Sequence, residues 1–179
     1  MNTRFAFNQE LWRQIQNRVA NGRRTRAAIA YFGRRGAKLL PLKKGDSIVV
    51  DMSMAAVRQG ITNPNEIRTL IGRGVRVFSR SALHAKFLLI DKTLIAGSAN
   101  VSQSSKEILD EAGIITSDPA AVRRASDFFA KLCTEPVGRE YLKKCIAEYR
   151  PPKFKPAFDL RARSKGSRRI VEAKLWFDP

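Results

Sequence analysis

The order of apolar segments along this chain predicts an α/β fold, a mixed β-sheet flanked by helices. Three observations carry that expectation. Short apolar runs of strand length recur along the chain, amphipathic segments of helical period stand between them, and 179 residues suffice for one domain with a buried core.

Leu11, Trp12, Ile15 and Val19 repeat at helical spacing between Asn8, a capping residue type, and Gly22, a stop, so an amphipathic helix opens the chain. Ala27–Phe32, closed by Gly33, reads as a buried strand, and Ser47–Asp51 as a second. Asn63-Pro64-Asn65-Glu66 joins a cap, a proline at the first helical position and a glutamate at the third; it predicts a helix that carries Ile67, Leu70 and Ile71 and ends at Gly74. Val75–Phe78 begins another strand, two more lie between His84 and Asn100, and Glu111–Thr116 is the next. Asp118-Pro119 caps a helix with Val122, Ala125, Phe129 and Leu132 on one face, and Leu142, Ile146 and Tyr149 mark a last one. Residues 1–150 thus read as one domain.

Residues 151–179 read as a basic, proline-containing extension. Pro151–Pro156 is extended, Arg161–Arg169 is an arm or a strap over a groove, and Ile170–Phe177 reads as a strand that stops as soon as it is made, pointing to a further domain.

Lysine and arginine number 34 against 16 aspartates and glutamates, a formal net charge of +18. The excess is terminal: residues 1–40 hold nine basic groups against one acid and residues 150–179 hold nine against three, while 41–149 hold 16 against 12. A basic rim around a balanced core calls for a polyanion, with nucleic acid first, DNA ahead of RNA, and an anionic membrane second. Arg23, Arg24, Arg26, Arg34 and Arg35 are the candidates for holding a nucleic-acid backbone. Two cysteines, Cys133 and Cys145, and one histidine make no metal set, so neither metal nor cofactor is expected; the cysteines read as reduced core thiols. No apolar run approaches the roughly 20 residues needed to span a bilayer, and the N-terminus lacks a secretion signal. The expectation is a cytoplasmic protein.

The lone histidine heads His84-Ala85-Lys86-Phe87-Leu88-Leu89-Ile90-Asp91, and Gly97-Ser98-Ala99-Asn100 follows. Strand alternation sets His84, Lys86, Leu88 and Ile90 on one face and Asp91 on the other. With a turn at about Lys92-Thr93, Ser98 and Asn100 share a face, and an antiparallel hairpin would set them beside His84 and Lys86. Imidazole is a nucleophile near neutral pH, while Lys86, Ser98 and Asn100 suit the oxygens of a phosphodiester as charge builds on phosphorus. An acid on the other ring nitrogen would fix the tautomer; Glu111 is the candidate, with Asp110 and Glu107 as nearby alternatives. Asp91, at the hairpin end, and Gly97 are assigned to structure.

These residues resemble the His-x-Lys signature of the phospholipase D superfamily, with Gly97-Ser98-x-Asn100 and a later glutamate also in place, over a stretch from about Ala27 to Leu132. The interval from Asp91 to Gly97 is one residue shorter than in most members, which a tighter turn absorbs. The resemblance implies a phospholipase D-like sandwich with one motif per chain and a catalytic domain over 1–150. It also implies that His84 attacks phosphorus to give a phosphohistidine, which water then releases. A leaving oxygen needs a second acid, and one motif per chain implies a homodimer in which the second His84 supplies it. The leading expectation is therefore a metal-independent nucleic-acid phosphodiesterase, an endonuclease, with a restriction-type enzyme as one form of it. A phospholipase or phosphatidyltransferase and an inactive nucleic-acid-binding module are the alternatives.

Overall fold

Strands form where the apolar runs lie, and two of the runs are continuous because their strands are covered on both faces. The computed structural model describes residues 3–152. In chain order these are β1 (Thr3–Phe7), α1 (Asn8–Asn21), β2 (Thr25–Ile29), α2 (Gly36–Leu39), β3 (Ser47–Val50), α3 (Met54–Arg58), α4 (Pro64–Gly72), β4 (Arg76–Ser79), β5 (Lys86–Ile90), β6 (Thr93–Gly97), α5 (Gln103–Glu107), β7 (Ala112–Thr116), α6 (Pro119–Leu132), β8 (Glu135–Pro136) and α7 (Arg139–Glu148). The sheet has eight strands in the order β1-β7-β6-β5-β2-β3-β4-β8. It is mixed: β2, β3 and β4 are parallel to one another, and every other pairing is antiparallel. The C-terminal ends of β1, β2, β3 and β6 and the N-terminal ends of β5 and β7 consequently meet along one edge.

Ile29, Ile48, Val50, Leu88, Ile90, Ile95 and Ile115 form one face of the sheet, packed with Leu11, Trp12, Ile15 and Val19 of α1, Ile67 and Leu70 of α4, and Leu142 of α7. Ala28, Val49, Phe87 and Leu89 form the other, under Phe129 and Leu132 of α6. Each large side chain fully buried in these two layers is worth roughly 1.5–3 kcal/mol relative to exposure. Asn63 accepts from the Asn65 N–H, and Asp118 accepts from the Ala121 N–H at 2.7 Å, so both helices start where their caps place them.

Three local expectations change. Asn8 does not cap α1; it is the first helical residue, at φ 46°, and its side chain turns instead to Asp110 and Glu111. The β5–β6 turn is Asp91-Lys92, one residue earlier than expected, because Ile90 pairs with Thr93 and Asp91 takes φ 52°. Two strands, β1 and β8, and the short helices α2, α3 and α5 carry no signal that the apolar pattern discloses. Among the described residues no helix is long and apolar enough to cross a membrane. The arm at 161–169 and the strand expected at 170–177 lie outside the described residues.

Candidate active site

The ladder keeps its phase one step past the strand ends. The Ala30 N–H donates to the Ala85 carbonyl, the Ser98 N–H to Ala112 and the Asn8 N–H to Glu111, at 2.9, 3.0 and 2.7 Å. His84 therefore stands two residues before β5, not within it, yet shares the face of Lys86, Leu88 and Ile90. Glu111 is likewise in phase with Gly113 and Ile115 on that same α1-covered face. Ser98 is not. In the β5–β6 register Gly97 is next opposite Lys86, so Ser98 follows Ala96 toward the α6 face. The chain bends away from the strand at Ser98, and its hydroxyl still reaches Glu111.

Lys86 Nζ donates to the His84 carbonyl at 2.9 Å and lies 3.2 Å from His84 Nε2. An ammonium has only protons to give, so this contact is a hydrogen bond when Nε2 holds a free lone pair and Nδ1 carries the ring proton. That is the nucleophilic tautomer. Partial burial holds Lys86 below an ordinary lysine, and the negative charge of Glu111 acts in the opposite sense. The Tyr31 ring meets the His84 ring edge-on at 6.4 Å, and Asn100 Oδ1 accepts from the Tyr31 N–H at 3.1 Å. Asn100 is thereby fixed by its oxygen, with its amide nitrogen left to donate.

Glu111 is buried, and two hydroxyls hold its carboxylate: Ser98 Oγ, and Ser105 Oγ at 2.5 Å. The expected bond from Glu111 to the His84 ring is not made within one chain. Nor do the alternatives make it, because Asp110 accepts from Asn8 and Glu107 from Arg35 and Gln103. Ser98 has one proton, which points at Glu111, and its oxygen accepts the Ala112 N–H at 3.2 Å; in this arrangement it positions the carboxylate. Asn8 and Ser105 complete that cradle and were not legible as site residues. Asn8 brackets Glu111 with both its main-chain N–H and its side-chain oxygen, which accepts the Glu111 N–H at 2.8 Å.

Two of the motif residues hold backbone. Asp91 accepts the N–H groups of Arg23 and Arg24 at 3.2 and 3.1 Å and donates its own N–H to the Arg24 carbonyl. Gly97 pairs with Gly113 so closely that a Cβ there would sit 2.2 Å from the Ala112 carbonyl oxygen. The five arginines grouped by sequence are divided by β2. Arg34 and Arg35 follow it on the His84 edge, where Arg35 pairs with Glu107 at 3.4 Å; Arg23, Arg24 and Arg26 stand at the opposite end.

A mixed-sheet α/β domain that gathers an imidazole, an ammonium, an amide and a buried carboxylate at one sheet edge belongs to the class built for phosphoester chemistry. The sequence matches the family described as cardiolipin synthase, PLD-like domain, over residues 42–133, and the chain belongs to the phospholipase D superfamily of phosphodiesterase-type enzymes. Its fold is similar to NucT from Helicobacter pylori, with a TM-score of 0.62 at 18% identity, covering 76% of this chain and 99% of that one. Nuc from Salmonella typhimurium, a phospholipase D family member, follows at 0.58 and 15%, covering 76% and 96%. The phosphatidylserine synthase of Haemophilus influenzae Rd KW20 scores 0.50 at 15%, covering 75% of this chain and 40% of the synthase. No curated protein matches the sequence.

Proposed function

We propose that this protein is a metal-independent endonuclease that cleaves nucleic-acid phosphodiesters through a phosphohistidine, in an active site shared by two chains. The observation that carries the reading is the 3.2 Å approach of Lys86 Nζ to His84 Nε2, which sets the imidazole lone pair beside the cation that attracts a phosphate, and the lone pair is released when the ammonium turns to the phosphate oxygens. The bond from Nε2 to phosphorus forms as the bond to the leaving oxygen breaks, and Lys86 and the Asn100 amide hold the non-bridging oxygens as they gain charge. The leaving oxygen takes its proton from the partner's His84. Water then attacks phosphorus, giving its proton to that same imidazole, and the P–N bond breaks to restore His84.

Dimerisation is supported by what one chain leaves unfilled. On the α6 side of the sheet the helix covers β2, β5 and β6, while Phe5, Phe7 and Ile114 of β1 and β7 remain exposed at 61%, 56% and 40%. Phe5 pairs directly with Ile114, and the Phe5 and Phe7 rings lie 6.4 Å apart, so the patch is continuous. The occupant we assign to it is a second copy of the chain. Nucleic acid is favoured as substrate by the +18 charge, and DNA is the form we propose. The two unpaired thiols fit a cytoplasmic location.

The test is incubation of the purified chain with labelled DNA, RNA and phosphatidylglycerol vesicles in excess EDTA, beside His84→Ala. Cleavage of nucleic acid in EDTA, lost by at least a thousandfold in His84→Ala with binding retained, is the expected result. Activity that chelation abolishes and magnesium restores, or turnover of lipid alone, refutes the reading. Light scattering should give twice the 20.1 kDa chain mass, and an active monomer sinks the shared site.

A further inference from the structure

Arginines crowd the sheet edge opposite His84. An open groove of about 700 Å³ lined by Arg23, Arg24, Arg26, Asp91 and Lys92 adjoins a slot of about 270 Å³ lined by Arg24, Arg26, Ser47, Arg76, Phe78 and Phe129. Among the described residues none of these cations is in an ion pair. The nearby carboxylates face backbone instead: Asp91 takes the Arg23 and Arg24 N–H groups, and the buried Asp46 takes those of Thr25 and Lys43. Arg26 donates to Ser126 Oγ at 2.6 Å and Arg76 to Ser47 Oγ at 3.2 Å, hydroxyls that orient a guanidinium without neutralising it.

Folding alone does not account for this arrangement. Burial lowers the pKa of Arg26, and the charge of Arg24 lowers it further, so the charged group is held where the chain itself disfavours it. The C-terminal end of α6, which closes the slot, supplies only about half a negative charge against these cations. What is lacking is an anion with several charges, and the two connected cavities offer it a track rather than a single niche.

We infer that this groove and slot form a second binding site for the phosphates of a nucleic-acid strand, remote from the catalytic residues, so that a long substrate is held at two places. This rests on the reading of the substrate as nucleic acid. A lipid surface would call for exposed apolar side chains beside the cations, whereas Phe129 in the slot is buried, Phe78 is half-buried, Phe128 on α6 stacks on Phe87, and the exposed Phe5, Phe7, Leu109 and Ile114 belong to β1, β7 and the segment leading into β7. Arg24 stands seven residues before Tyr31 along β2, roughly 23 Å at ~3.3 Å per residue. Along a duplex, whose axis rises ~3.4 Å for each phosphate of one strand, that span is about seven base pairs. Substrates shorter than this reach one site or the other; longer ones reach both.

The test uses His84→Ala as a non-cutting background, with Arg24→Gln and Arg76→Gln together, since both side chains are exposed, and a melting curve to confirm the fold. Binding of labelled DNA, a 30-base-pair duplex and a hairpin with a 5-base-pair stem (the 30-mer and the 5-mer), is measured by anisotropy across a salt series, beside binding to phosphatidylglycerol vesicles. Removing two phosphate contacts should weaken the 30-mer roughly 10- to 100-fold at 0.1 M salt and reduce the salt slope by about 1.5 to 2. The 5-mer, still free to bind at the His84 edge, should change by less than twofold. An unchanged salt slope for the 30-mer overturns the inference, as does a loss confined to phosphatidylglycerol vesicles. Cleavage by the unmodified protein reports separately on the proposed function: if it cuts no nucleic acid, the endonuclease reading fails, while binding in the His84→Ala background still decides the second site.

Discussion

Gly97→Ala tests whether the contact between β6 and β7 sets the geometry of the site. The added Cβ would lie 2.2 Å from the Ala112 carbonyl oxygen, 2.7 Å from Gly113 Cα and 3.0 Å from the Ala112 carbonyl carbon. All three atoms are backbone, so no rotamer relieves the clash. To restore ordinary van der Waals contact the two strands must part by about 1 Å, an overpacking that costs roughly 1–3 kcal/mol. The bond from the Ser98 N–H to Ala112, 3.0 Å, lies at the point of separation, and its loss adds about 1 kcal/mol. Glu111 precedes Ala112 and is held by Ser98, so parting the strands also moves the carboxylate relative to Lys86. A displacement near 1 Å is worth on the order of a hundredfold in turnover. Chemical denaturation should therefore show a loss of about 2–4 kcal/mol, and turnover measured well below the melting transition should fall about a hundredfold. Gly138→Ala, where a Cβ meets nothing within 4 Å, is the control. Wild-type turnover in a folded Gly97→Ala protein would refute the account.

Three further outcomes follow from the same geometry. Because burial lowers the pKa of Lys86, its ammonium is present at low pH and is lost as pH rises through a value below that of an ordinary lysine, so the alkaline limb of kcat/KM should lie there; Lys86→Arg should move that limb upward, and a limb that stays fixed assigns it to another group. Asn8→Ala leaves the Glu111 N–H without its acceptor and puts alanine at φ 46°, for a loss of about 2–4 kcal/mol by denaturation. Asn8→Gly tolerates that φ but still lacks the amide, so it should recover part of the stability and none of the lost turnover; recovery of both makes Asn8 a backbone device only. Phe5→Glu with Phe7→Glu puts charge on the exposed sheet patch, and light scattering should report single chains with little activity; dimers that persist place the interface elsewhere.

The elements that could be read from the sequence are those whose signal is local. β2 and β3 are apolar on both faces, and α4 and α6 carry their caps beside their apolar stripes. β1 was hidden because Ala6 alone of its five residues is buried, while Phe5 and Phe7 face outward, which inverts the pattern expected of a strand. The pairing of His84 with Lys86 was legible because it needs only the two-residue period of one strand. Glu111 and Ser98 were named, but the cradle that Asn8 and Ser105 complete around Glu111 was not legible, since it depends on the β6–β7 and β1–β7 registers, set between segments more than 100 residues apart in the case of Asn8. Asn8 was misassigned for the same reason: asparagine before an apolar helical stripe is a cap in local terms, and a contact with Glu111 leaves no mark on that stripe. The arginines were grouped by proximity in sequence, and an extended strand carries neighbours in sequence far apart in space.

The placement of the site past the strand ends also bears on why the proposed catalyst takes two chains. Where the ladder runs out, the groups in its next row are free to point at something other than sheet: Tyr31 toward the His84 ring, Asn8 toward Glu111. Lys86 takes up Nε2 of His84, but among the described residues nothing accepts the proton on Nδ1. The same chain leaves Phe7 bare directly before Asn8, and Leu109 bare two residues before Glu111. A ring nitrogen in want of an acceptor thus stands before β5, and an apolar surface in want of cover lies across the sheet on β1 and β7. In the proposed dimer a twofold axis brings a second imidazole to the leaving oxygen, and the apolar patch is the surface assigned to the contact between the copies. The two needs are separable by mutation. Loss of the patch should abolish dimers and turnover together, whereas His84→Ala should abolish turnover and leave dimers intact, so a mixture of His84→Ala chains with unmodified chains should lose activity in proportion to the heterodimers it contains.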